Sequence, residues 1–374
     1  MGTTEYFYPG RDTKGHELLT LIAICGDFPA SLLSRLPISA SYQETLISSL
    51  KKNKLIKVYY RDKLRSYRIG VRAKEHLLSY QPDRFSFYLS GNADTNLLKS
   101  EITRRLRQHR IAEVYISMLN ARVLIYRDDK PDIFSPECEF FSPIEAPVFY
   151  NSREIKEAGI ETIKIKGSRM IGTLLTPSDM YLVYNSAANQ TDWDYRAEYR
   201  AKTLLQIMIC QQRMSPQYGG RSASGLLFGN GMDLFYQILS CADSGTRCFF
   251  LLDGTYEHFY YLTNDHYGDV LLRLLCDAKQ TAELNRILSL DLHETDSDLS
   301  MEHDALDAQG NPVLFGYLLD IPRINRFLTA LHLHQRNGTL ICFDFQKEVL
   351  QRICGENVQL QIISFEKFER RFYS

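Results

Sequence analysis

Four cationic side chains, Arg61, Lys63, Arg65 and Arg68, fall within eight residues, a spacing that suits contacts with the phosphates of a nucleic acid. The preceding segment carries Ser41, Tyr42, Gln43, Thr45, Ser48, Ser49 and Lys52, whose polar ends can hydrogen-bond to base edges. A second group lies far along the chain. The run NDHYGD brings Asn264, Asp265, His266 and Asp269 together near Tyr256, His258, Phe259, Tyr260 and Tyr261. Such a group could form a metal or acid–base site with His266 as base or ligand. The simpler reading is a polar turn capping the helix GDVLLRLL. In EHDALD, the oxygens of Glu302, Asp304 and Asp307 could hold a cation with His303 beside them, or line a solvated acidic loop.

Three further patterns carry less. GLLFGNGMDLFY has glycines between a strand and a helix, where backbone amides could cradle a phosphate. No Lys follows the last Gly and a third glycine is missing, so a tight turn fits better. His332 and His334 are two apart and would not share a helical face. Asp344 and Glu348 complete no Ser-His-Asp or Cys-His arrangement. Glu198 and Lys202, one helical turn apart, are expected to make a surface pair.

The elements that must carry the first group follow from local pattern. Asp12 or Thr13 can cap a helix with apolar Leu18, Leu19, Leu21, Ile22 and Cys25, ended by Gly26 and Asp27. Pro29 suits the first turn of a short second helix, which Pro37 stops. Ser41 and Glu44 have capping-box spacing before Leu46, Ile47 and Leu50. LIKVYY then changes period to that of a strand, RDKLR reads as a turn, and SYRIG returns. Three helices followed by a basic hairpin is the order of a winged helix, in which the third helix enters the major groove and the hairpin follows the backbone. A long helix is expected from Asp94 or Thr95. Its first half is basic (Arg104, Arg105, Arg107, Arg110) and its second half apolar. It reads as a connector docking on the C-terminal core. The basic half is open to three roles: DNA surface, dimer contact or solvated face.

Charge supports a polyanion partner for this region. Lys51–Arg110 holds sixteen Lys or Arg against five Asp or Glu, although the whole chain of 374 residues has a net charge of −1. The remainder alternates apolar strand-length runs with helices. Those runs are IETIKI, MIGTLL, MYLVYN, GLLFG, CFFLLD, VLFGYLL, TLICFDF and VQLQIISF. Buried strands alternating with helices imply an α/β domain with a mixed or largely parallel sheet. The eight cysteines form no CxxC pair, which argues against a zinc ribbon. No apolar run is long enough to cross a bilayer, and no secretory signal opens the chain, so a cytoplasmic protein is expected.

The winged helix, the hairpin ending SYRIGVRAKEHLL and the helix RRLRQHRIAEVYISML, followed by SRMIGTLL, MYLVYN and AEYRAKTLL, resemble the replication-relaxation family of plasmids and conjugative elements. The resemblance covers about His16 to Lys202. The overall layout also looks like accessory proteins of low-GC Gram-positive mobile elements. Some members of the family look like they carry a core related to restriction endonucleases, which needs carboxylates on two adjacent strands. Here Met170 and Ile171 follow Arg169, and Val183 and Asn185 occupy the next strand. The resemblance therefore implies a degenerate core without a nuclease centre.

Three regions are expected: a winged-helix domain over 1–92, a connecting helix over 93–127 and an α/β domain over 128–374. Double-stranded DNA is the expected partner, bound by Ser41, Tyr42, Gln43, Thr45, Ser49, Lys52, Arg61, Lys63, Arg65 and Arg68. A homodimer and transfer or replication proteins are the further partners such a chain would have; no cofactor, catalytic residue or metal is assigned. Two alternatives stand beside this reading. One is a metal-dependent nuclease or phosphodiesterase in the C-terminal part. The other is a protein-interaction module of a DNA-transfer complex.

Overall fold

A computed structural model describes residues 8–89, 101–135, 141–159, 167–187, 194–240, 254–293 and 301–373. The chain is mixed α/β and divides into two compact units. The first comprises Met1–Asn120 with Ile125–Lys130, and the second Ala121–Leu124 with Pro131–Ser374.

In the first unit, α1 (Lys14–Cys25) starts where the Thr13 hydroxyl accepts the His16 amide, and it ends at Gly26, whose φ of 73° lets the chain reverse. That reversal turns Asp27 inward and starts β1 (Phe28–Pro29). The expected short second helix is a 3-10 segment, Ala30–Arg35. The next helix, α2 (Ala40–Lys52), buries Leu46, Ile47 and Leu50. It starts one residue before the expected cap: Ser39 is extended, makes no side-chain cap, and the Ser41–Glu44 capping box does not form. Strands β2 (Ile56–Arg61) and β3 (Leu64–Ile69) make an antiparallel hairpin whose two turn residues, Asp62 and Lys63, have φ of 54° and 60°. Positive φ at both positions marks a turn whose twist matches the strands it joins. The sheet order is β1-β3-β2. Gly70 follows, and a side chain there would meet the Lys54 carbonyl at 2.3 Å. Helices α3 (Val71–Tyr80), α4 (Pro82–Leu89) and α5 (Ile102–Asn120) complete the unit.

Helix α5 occupies most of the described part of the connector expected over 93–127, of which residues 93–100, with the expected start at Asp94 or Thr95, lie outside the described residues. It packs on α1, β1 and the 3-10 segment and belongs to the first unit. It also carries the side chains that close a buried ionic knot around Asp27. Arg105, fully buried, donates from Nε to Asp27 at 2.9 Å, and Arg68 donates to the other carboxylate oxygen at 2.8 Å. Ser66 donates at 2.5 Å, and His109 Nε2 lies 3.2 Å away. The remaining Arg105 nitrogens reach the carbonyls of Arg61 (2.7 Å) and Leu64 (3.1 Å), the two residues flanking the hairpin turn. Burial alone would raise the Asp27 pKa. The hydrogen bonds from His109, Arg68, Ser66 and Arg105 together outweigh it and hold the carboxyl well below the usual carboxylate range.

The second unit contains two sheets. One has the order β4-β5-β6-β7-β8, with β4 (Val148–Asn151), β5 (Gly172–Leu175), β6 (Met180–Ala187), β7 (Ser224–Gly229) and β8 (Phe259–Thr263). Its first three strands are antiparallel neighbours, while β6, β7 and β8 run parallel. Helix α6 (Ser152–Ile155) follows β4, α7 (Tyr195–Gln206) and α8 (Ser215–Tyr218) lead from β6 to β7, and α9 (Met232–Ser240) follows β7. Then come α10 (His266–Leu275) and α11 (Ala278–Leu288). The other sheet has the order β12-β11-β10-β9, with β9 (Ala305–Leu306), β10 (Pro312–Phe315), β11 (Gly338–Phe343) and β12 (Val358–Ile363). Its strands β10, β11 and β12 are parallel and connected through α12 (Ile321–Leu333) and α13 (Lys347–Ile353); α14 (Phe365–Tyr373) closes the chain. One apolar core serves both sheets, joining Leu182, Leu227 and Tyr261 to Leu314, Leu340 and Cys342. The sheets are therefore mixed, as expected. The expected strands IETIKI and CFFLLD lie outside the described residues. The described cysteines are all free thiols, and burial pushes Cys342 and Cys354 up to about 12. No helix among the described residues is long and apolar enough to cross a membrane.

A polar contact ties β8 to the start of α12. Asp320 accepts from His258 Nδ1 at 2.7 Å and from the Phe259 amide at 3.1 Å. The hydrogen bond to Asp320 raises the His258 pKa, against the opposing effect of burial.

Two outcomes are expected. Replacing Asp27 by Asn leaves the Arg105 charge buried without its partner and should lower stability by about 3–5 kcal/mol at neutral pH. Because the folded-state pKa of Asp27 is depressed, its contribution is full above about pH 4 and is lost as pH falls. The difference between wild type and Asp27→Asn in urea unfolding should therefore shrink toward pH 2. For His258 the sign is opposite. Its raised folded-state pKa gives stability that is present below about pH 6.5 and lost as pH rises. Thermal melts should separate wild type from His258→Gln more widely at pH 6 than at pH 8.5.

Candidate nucleic-acid interface

Helix α2 turns Leu46, Ile47 and Leu50 inward, so its other side is exposed by periodicity. Ser41, Tyr42, Thr45, Ser49 and Lys52 all lie on that exposed side. Gln43 is only half-exposed, and its amide donates to the Ile38 carbonyl at 2.7 Å, which ties it to the chain entering the helix. The Thr45 hydroxyl donates to the Ser41 carbonyl and keeps its lone pairs outward.

The hairpin divides the four expected cations. Arg61, Lys63 and Arg65 are exposed, and Arg61 lies within 3.5 Å of Asp62. Lys63 occupies the turn itself, and neither Lys63 nor Arg65 has a carboxylate partner among the described residues. Arg68 does not belong with them. It sits on the inner face of β3 with Ser66, bonds Asp27, and lies 3.7 Å over the Tyr59 ring. Its Nε is committed to the Asp27 carboxylate, which holds the hairpin down and sets Arg68 apart from the other three expected phosphate contacts. Tyr60 was not among the expected residues. It stands opposite Arg65 on the outer face and is 68% exposed, so a large aromatic ring flanks the exposed guanidinium. Of the four arginines in the first half of α5, Arg105 is spent in the knot, while Arg104 lies near Glu101 at 3.5 Å.

The candidate chemistry of the second unit resolves into structural contacts. Asp265 caps α10: its Oδ1 accepts the Thr263 hydroxyl at 2.5 Å and the Gly268 amide at 3.1 Å. His266 is exposed and pairs with Glu369 at 2.8 Å, and Asp269 is buried in the helix. The three do not converge. Glu302 is held by Arg323 and Arg326, and Asp304 binds Arg323 and the Phe315 amide. Burial disfavours the charged form of Glu302, but the two guanidiniums outweigh it and keep its pKa below the ordinary value. Asp307 folds a turn, accepting the amides of Gln309 and Asn311. No group of three or more His, Cys, Asp or Glu among the described residues could hold a metal ion.

The expected surface pair of Glu198 and Lys202 is also corrected. Glu198 is fully buried, takes the Ser168 hydroxyl and the Arg169 amide at 2.6 Å each, and has its pKa raised by burial. Lys202 donates to the Thr255 carbonyl and lies over the Tyr256 ring. On β5 and β6 no residue is a carboxylate; Val183 is buried, and Asn185 accepts from Asn264 at 3.3 Å. The glycines of GLLFGNGMDLFY make a turn in which the Gly231 carbonyl accepts the Tyr261 hydroxyl at 2.5 Å.

Comparison with protein-family models, with curated proteins and with solved structures finds no match to this chain.

The division of the hairpin cations predicts two kinds of mutant. Joint replacement of Arg61, Lys63 and Arg65 by Ala should change the unfolding free energy by no more than about 0.5 kcal/mol per substitution, as for exposed side chains. Arg68→Ala should cost about 1.5–3 kcal/mol, the range for a hydrogen bond to a charged group. Equal effects per substitution in the two proteins would contradict the geometry.

Proposed function

We propose that the first unit is a winged helix that binds double-stranded DNA, with α2 in the major groove and the β2–β3 hairpin along the phosphate backbone. The observation that carries this reading is the exposure of Arg61, Lys63 and Arg65 around a turn whose flanking carbonyls are gripped by buried Arg105. A charged ribbon held at its base can present its cations without losing order on binding, which lowers the entropic cost of the contact. Tyr42, Thr45 and Ser49 are the side chains of α2 best placed to read bases, and Lys52 joins the hairpin in backbone contact. Arg68 and Gln43 are left out of the contact set because both are engaged within the unit.

The sequence resemblance to the replication-relaxation family gives this activity its setting. In the proposed reading the chain is an accessory or regulatory protein of a plasmid or conjugative element. The α/β unit then serves dimerisation or the capture of transfer or replication proteins.

Fluorescence anisotropy with labelled duplex DNA over a salt series tests the proposal. Affinity should fall steeply with salt, and the Arg61/Lys63/Arg65→Ala protein should lose about 0.9 from the log–log slope for each phosphate contact removed. Binding that ignores salt, or a triple variant with the wild-type slope, would refute it.

A further inference from the structure

Helix α7 of the second unit has a face that is exposed among the described residues. Ala197, Glu198, Ala201, Leu204 and Leu205 are buried, while Tyr195, Arg196, Tyr199 and Arg200 point outward. The two tyrosines are one turn apart, 47% and 49% exposed, with ring centroids 6.1 Å apart and planes 17° from parallel. The two arginines are likewise one turn apart. Arg200 Nε donates to the Arg196 carbonyl at 3.1 Å, which lays its guanidinium along the helix. Neither arginine has a carboxylate partner among the described residues. These four side chains and Asp194 line an open hollow of about 510 Å³, within the usual range of roughly 300–1,000 Å³ for ligand sites. Asp194 is committed to the helix, its Oδ1 accepting the amides of Arg196 and Ala197. The hollow is thus lined by two flat aromatic faces and carries one net positive charge.

We propose that this face binds a single-stranded nucleic acid, with bases stacking on Tyr195 and Tyr199 and phosphates meeting Arg196 and Arg200. Paired planar rings beside guanidinium groups match a ligand that alternates flat bases with anionic links. A duplex does not fit this chemistry, because its bases are stacked on each other and offer no face to the tyrosines. The site is built from residues other than those of the duplex-binding proposal, so it goes beyond that reading.

The test uses the full chain with labelled oligothymidylate and oligouridylate of about twelve nucleotides, long enough for the roughly 4–16-nucleotide sites such surfaces occupy. Wild type should bind at least one of the two, and their ratio tells whether DNA or RNA is the source. Tyr195→Ala/Tyr199→Ala should weaken binding at least about tenfold, whereas Tyr195→Phe/Tyr199→Phe should stay within about twofold, since stacking needs the ring and not the hydroxyl. Arg196→Gln/Arg200→Gln should lower the salt slope by about 1.4, near 0.7 for each single-strand phosphate contact. The Arg61/Lys63/Arg65→Ala protein should keep its oligothymidylate affinity, which separates this site from the hairpin. Should the double alanine protein fail to melt like wild type, the phenylalanine and glutamine proteins carry the test. No binding of either oligonucleotide by wild type, or unchanged affinity in the alanine protein together with an unchanged slope in the glutamine protein, would overturn the proposal.

Discussion

A carboxylate taken out of water must be repaid in hydrogen bonds, and Asp27 is repaid by side chains from two separate parts of the chain. Ser66 and Arg68 come from β3, Arg105 and His109 from α5. A two-stranded hairpin is marginal by itself, and this one leaves Val58 and Tyr60 of its outer face exposed. Among the described residues, only the two-residue β1 pairs with its other edge. Apolar burial near the turn is therefore scant, and Arg105 supplies the restraint instead. One guanidinium spans the Asp27 carboxylate, the Ser66 hydroxyl and the carbonyls on either side of the turn. Losing either the acid or the base would leave its partner charged and dry, so the knot works as a unit. The position of Arg61, Lys63 and Arg65 then depends on a helix forty residues further along.

This dependence explains what sequence reading recovers and what it misses. Helix α1, helix α2 and the hairpin are legible because their signals are local: Thr13 before an apolar stripe, Gly26 after it, then a change from helical to alternating period. The knot is not local. Its side chains lie 39 to 82 residues from Asp27, and no neighbour of Arg105 sets it apart from Arg104 or Arg107. One part of it was legible. Side chains alternate across a strand, so Arg65 and Arg68 on β3 face opposite sides. Arg68 shares its face with Ser66, whereas Arg65 shares the other with Tyr67, so parity separates the two arginines, and the bond to Asp27 decides which of them is held inside.

The same reasoning applies to α7. Charge spacing alone pairs Glu198 with Lys202, and that rule is blind to which side of the helix faces the sheet. Glu198 falls in register with Ala201 and Leu205, three and seven residues on, within the apolar stripe. Helical periodicity therefore places it inward, where Ser168 and the Arg169 amide satisfy it. The residues outside that stripe, Tyr195, Arg196, Tyr199 and Arg200, form the exposed aromatic and basic face. An aromatic residue contributes to an apolar pattern whether or not it is buried, which hides such a face from composition alone.

The distribution of unspent hydrogen-bonding capacity bears on what kind of ligand the chain can take. A metal or an acid–base reaction needs carboxylates or histidines with lone pairs to spare. In the second unit Asp265, Asp304, Asp307 and Asp320 have theirs engaged by helix amides, turns or arginines, and Glu302 is held by two guanidiniums. The cations differ. Lys63 and Arg65 on the hairpin, and Arg196 and Arg200 on α7, lack carboxylate partners among the described residues. With a net charge of −1 over the whole chain, long-range attraction to a polyanion is weak. The anion binding proposed above would then come from contact at these local cations, where each neutralised phosphate releases a counterion. Such binding favours ligands that present several phosphates in a row over a single anion, because one guanidinium–phosphate pair at an exposed surface is worth little.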